Sequence, residues 1–112
     1  MIANPEEILK TYPEVEWAAF LVGEYRFRLK GIATTITLRF LKDIETGKVS
    51  FEQSHYIHTP TQAGPYITSR PWNDDEAQAL HQAVFGFKNH YEGAVAAGHA
   101  PNDSWLVPNH DF

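Results

Sequence analysis

The stretch from Asn73 to Gly98 leaves this chain the least freedom, because its residues set a start, a stop and a buried face together. Asn73 is placed to act as an N-cap, with Glu76 three residues on to complete a capping box. Asp74 and Asp75 put negative charge where a helix dipole is positive, and Trp72 just outside can staple onto Ala77. Ala77, Leu80, Val84, Phe87, Tyr91 and Ala94 or Val95 then recur at steps of three and four, an apolar stripe at about 100° per residue. Gly98 supplies the stop and Pro101 forbids a restart. The stretch predicts one long helix.

A second stripe of small residues runs along the same helix. Ala79, Gly86 and Gly93 recur at seven-residue steps, with Ala83 and Ala97 beside them. Each interior glycine costs a helix about 1 kcal/mol relative to alanine, so two of them call for a compensating contact or a tolerant surface. One reading places a second subunit against that stripe, with Phe85 widening the apolar arc. The other is a solvent-facing or kinked helix.

Ahead of the helix the pattern changes from a period near 3.6 to a period of two. Tyr25, Phe27 and Leu29 alternate with Arg26, Arg28 and Lys30. Ile36, Leu38 and Phe40 alternate with Thr35, Thr37 and Arg39. Both read as half-buried strands. The loop Lys42 to Gly47 reads as a hairpin connection with Gly47 in the left-handed position, returning through Val49 and Phe51. That register puts Arg39 within reach of Glu52. The returning strand can continue to His58. The apolar run before Gly23 fits a helix or a buried strand; we read a strand. At the N-terminus, Asn4-Pro5-Glu6-Glu7 gives a cap, a first-turn proline and a capping-box acid, and Pro13 limits that helix to roughly two turns that would cover one end of the core. Residues 59–72 read as an irregular connector, with Tyr66 and Ile67 as a brief edge strand. The fold class expected is α+β: a short N-terminal helix, an antiparallel meander of about four strands, and a long C-terminal helix packed across one sheet face.

At 112 residues with 43% hydrophobic content, the chain is long enough for one real core and too short for a second folded unit, so 1–112 reads as a single domain. Residues 99–112 read as an extended tail. Trp105, Leu106 and Val107 within it should dock on the body or on a neighbouring subunit. The absence of cysteine excludes disulfides, thiolate zinc sites and thiol nucleophiles. The longest apolar run, Trp17 to Val22, is far below the ≈20 residues that span a bilayer, and no basic-then-apolar leader pattern opens the sequence. No membrane association is expected, and the cytoplasm is the expected location. Net charge is −5, yet residues 26–48 hold six basic and two acidic side chains against three and twelve elsewhere. We read this as internal complementarity, and the overall negative charge opposes nucleic-acid binding.

No motif names a reaction. His55 and His58 point to opposite faces of an extended strand, and His81 and His90 fall on different sides of the helix, so no metal site is expected. No nucleophile elbow or phosphate loop is present, and no cofactor is implied. Two candidate surfaces remain. One is a ligand-binding mouth between sheet and helix formed by His55, Tyr56, His58, Tyr66, Arg70 and Trp72. The other is a subunit interface of Ala79, Phe85, Gly86, Gly93, Trp105 and Leu106. The expected role is a small non-enzymatic association module, an accessory or regulatory subunit that homodimerises or meets another protein. The alternative is a ligand-binding protein or enzyme using the mouth.

Overall fold

The computed structural model describes residues 4–112. Helix α1 (Pro5–Thr11) is capped by Asn4, whose side chain accepts from the Glu7 amide at 3.0 Å. Strands β1 (Ala19–Phe27), β2 (Ile36–Asp43), β3 (Val49–Gln53) and β5 (Trp72–Asn73) form one antiparallel sheet in the order β1-β2-β3-β5. Strand β4 (His55–Ile57) breaks away at Ser54 and pairs with β6 (Leu106–Pro108) in a two-stranded sheet. Helix α2 (Glu76–Ala96) packs across one face of the larger sheet.

The period-two pattern places the core as expected. Ile36, Leu38 and Phe40 are fully buried on β2, and Val49 and Phe51 are buried on β3. Phe40 packs edge-on to Tyr25 and tilted to Phe51, while Phe27 meets Phe87 of α2 edge-on at 5.7 Å. The sheet differs from expectation in its ends. The segments on either side of Gly23 are one continuous strand, β1, in which the register shifts between Leu21 and Gly23. The extra residue is Val22, so Gly23 opposes Phe40. Tyr66 and Ile67 form no strand; the Tyr66 amide donates instead to the Ile57 carbonyl.

Helix α2 starts two residues later than its sequence signals. Asp75 is the N-cap, accepting from the Gln78 amide at 2.8 Å. Asn73 pairs with Val49 in the sheet, so its backbone is already committed. The buried arc of α2 also turns towards the small residues. Ala79, Ala83, Gly86, Phe87 and Ala94 are buried, Leu80, Val84 and Tyr91 pack at the margin, and Ala77 and Val95 are exposed. Small side chains allow the helix to lie close to the sheet, so much of the small-residue stripe is a packing face of this chain itself.

The tail is bound to the body. Trp105 is buried edge-on against Tyr91, the Asp103 carboxylate accepts from the Ala33 amide, and Asn109 donates to the Gln53 carbonyl. Helix α1, expected to cover one end of the core, has no buried residue of its own; its Leu9 lines a groove with the buried Ile44. The whole is elongated, 61 × 24 × 23 Å with a radius of gyration of 17.1 Å. A compact domain of this length has about 13 Å.

Candidate functional site

The six residues of the expected mouth do not line one pocket, and of them Arg70 and Trp72 stack on each other. Tyr66 lies on Gly86 and its ring meets that of His90 at 4.8 Å, so it lines a small crevice with Gln82 and Phe87. Tyr56 lines a different cleft of about 210 Å³ with Gln53, Ile67, Pro71 and Phe112. Trp72 is sandwiched between Lys48 at 4.0 Å and Arg70 at 4.2 Å. His55 contacts the Ser54 hydroxyl, and burial lowers its pKa. His58 sits on the Gln62 carbonyl in the following loop. His55, His58, Tyr66, Arg70 and Trp72 each have a partner within the chain. Among the described residues no three His, Asp or Glu side chains are grouped to hold a metal.

Of the six expected interface residues, Ala79, Gly86, Trp105 and Leu106 are buried inside the protomer. Those four are therefore not available to a partner. A Cβ at Gly86 would come 2.8 Å from the Tyr66 ring, so the glycine allows an intramolecular contact. Gly93 has open space around it, and Phe85 is exposed.

Free apolar surface lies elsewhere. Eleven large hydrophobic side chains of the described residues are exposed, and seven fall between Ile8 and Tyr25: Ile8, Leu9, Tyr12, Val15, Trp17, Leu21 and Tyr25. The local reasons are physical. Pro13 cuts α1 at under two turns, too short to pack across a sheet, and a turn closed by the Val15 amide on the Tyr12 carbonyl leads into a segment without regular structure. Trp17 is held in place, since its indole Nε1 donates to Asp43 Oδ2 at 2.8 Å while the residue stays 67% exposed. Asp43 also accepts from the Glu45 and Thr46 amides; the Thr46 bond leads the causes that lower its pKa, with Trp17 next. An open groove of about 440 Å³ between Pro5 and Leu9 on one side and Phe20 and Ile44 on the other continues this surface.

The same region ends in an unpaired strand edge. β1 is the outermost strand, and no described hydrogen bond outside the β1–β2 ladder reaches the backbone of Ala19–Phe27. Thr37 of β2 turns its amide to the Ser54 hydroxyl and its carbonyl to the Ser54 amide, away from β1. Its partner Arg26 is thus in a non-hydrogen-bonded pair and presents N–H and C=O outward, as does Glu24 opposite Arg39. Charge sits on the same edge. Glu24 accepts from Arg39 Nε at 2.9 Å and Arg26 Nη2 at 3.0 Å, and the Arg39 bond is the main cause lowering its pKa. Arg39, expected opposite Glu52, faces it in register but bonds to Glu24 instead. The Tyr25 hydroxyl donates to Glu76 at the start of α2, which raises its pKa. Sequence signals for this edge were present in the early proline and in the apolar run whose period was unclear.

Comparison with protein-family models, with curated proteins and with solved structures gave no match. Among the described residues no helix is long and apolar enough to cross a membrane.

Proposed function

We propose that this chain is a non-enzymatic association module, an accessory or regulatory subunit that homodimerises, and that its contact surface is the N-terminal arm together with the free edge of β1. The observation that carries this reading is the concentration of exposed apolar side chains between Ile8 and Tyr25, with Trp17 both displayed and pinned to Asp43. A fixed, protruding tryptophan beside apolar neighbours is the usual form of an interface anchor. The arm lies beside strand backbone that still has donors and acceptors to offer, so both apolar and main-chain contacts are open to a partner.

The Tyr56 cleft supports ligand binding less well. Its volume of about 210 Å³ is below the roughly 300 to 1,000 Å³ of ordinary ligand sites, and its charged lining is Glu52 and Asp111, without a cation. Sedimentation velocity across nanomolar to tens of micromolar protein tests the association reading. A dimer at micromolar concentration that Trp17→Ser weakens is expected; a monomer throughout would refute it.

A further inference from the structure

We infer that the partner is a second copy of this chain, joined by antiparallel pairing of β1 with β1 in the register that places Tyr25 on the two-fold axis. This rests on the association reading above and specifies its geometry. An antiparallel pair forms hydrogen bonds only where outward-facing residues oppose each other, and on this edge those residues are Glu24 and Arg26. Three neighbouring registers satisfy the condition. A two-fold axis at Glu24 sets Glu24 against its own copy, and an axis at Arg26 sets Arg26 against its own copy. Both put like charges directly opposite, which is unfavourable. An axis at Tyr25 sets Glu24 opposite Arg26 of the second copy, twice.

That register agrees with everything else on the edge. Glu52, Arg39 and Glu24 already stand side by side across β3, β2 and β1, so Arg26 of the second copy completes a row of alternating charge. Arg26 is the more exposed partner of its present ion pair and is free to reach across. On the other face, Tyr25 would meet Tyr25 in a non-hydrogen-bonded pair, where Cα atoms are about 4.5 Å apart and side chains touch. Tyr25 is exposed at this edge, so such a contact would cover it. Gly23 would lie opposite Phe27 of the second copy. Exposed ion pairs add little affinity, so the charges select the register while main-chain bonds and apolar contact hold the pair. Residues before Gly23, Leu21 and Trp17 among them, run on past the paired segment towards the second copy and add the apolar area that five paired residues lack.

Amide hydrogen exchange on the wild-type protein, read at concentrations above and below its dimerisation constant, tests this directly. The Glu24 and Arg26 amides should gain at least tenfold protection in the dimer. Charge exchange gives a second test: Arg26→Glu and Glu24→Arg should each weaken self-association about tenfold, and an equimolar mixture of the two should restore it, because every facing pair is then opposite in sign. The chain has no cysteine, so Tyr25→Cys gives a third, with a disulfide expected between the two copies under mild oxidation. A dimer whose Glu24 and Arg26 amides exchange freely, or charge variants that do not rescue each other, would overturn the pairing and leave association by another surface. A monomeric wild type would overturn both.

Discussion

At the scale of single residues, the structure moves two energetic roles to neighbouring positions. Asp75 caps α2, so Asp75→Ala should cost about 1 kcal/mol in chemical denaturation. Asn73→Ala should instead act through its bond to Gln82, without the loss of a cap. The helix was legible from its flanking acids and its glycine stop; the cap was not, because four successive polar residues offer several candidates and only sheet pairing at Val49 decides among them. The two helical glycines separate in the same way. Gly93→Ala meets open space and should stabilise by up to about 1 kcal/mol. Gly86→Ala must displace the Tyr66 ring from its place beside His90, so it should gain less or lose stability. Urea midpoints of the two variants would show the difference. His55 gives a pH signature. Burial lowers its pKa from 6.5, so the unfolded chain binds more protons just below that value. Stability should therefore fall as pH drops through 6.5 and level off below the folded-state pKa, and His55→Gln should flatten that step. Glu24 and Asp43 have lowered pKa values and act in a more acidic window, their contributions fading only below the ordinary carboxylate range.

At the scale of elements, strict alternation made the central strands the most legible part of the chain. Phe40 is wholly buried between Tyr25 and Phe51, and Phe40→Ala should cost about 3 to 5 kcal/mol. A loss under about 1 kcal/mol would contradict that burial. Legibility failed where period gave way to tertiary contact. Ala79, Ala83, Ala94 and Gly86 of α2 lie inward because a close helix approach needs small side chains, a requirement set by the opposing sheet and not by hydrophobic ranking. The residues expected to converge into a mouth were dispersed because the chain breaks at Ser54, sending β4 to pair with the tail while β5 returns to the main sheet. No local pattern announces a strand of two residues.

At the scale of the whole molecule, burial is unevenly shared. Main-sheet residues, α2 and the tail bury their apolar faces on one another, while the arm from α1 to Trp17 buries little. On the association reading proposed above, deletion should separate folding from association. Because no residue of Pro5–Thr11 is buried, a chain lacking residues 1–12 should keep its near-UV circular dichroism and lose only a few degrees in thermal midpoint. The same deletion removes Ile8, Leu9 and Tyr12 from the exposed apolar set and one wall of the groove facing Phe20 and Ile44. If that surface meets a second copy, the shortened chain should sediment as monomer at concentrations where the full chain is dimeric. If the arm were a structural cover for the sheet, the order would reverse: stability would fall sharply and association would persist or rise as newly exposed core surface aggregated. Measuring both properties on one variant distinguishes an arm that holds the fold from an arm that the fold holds out.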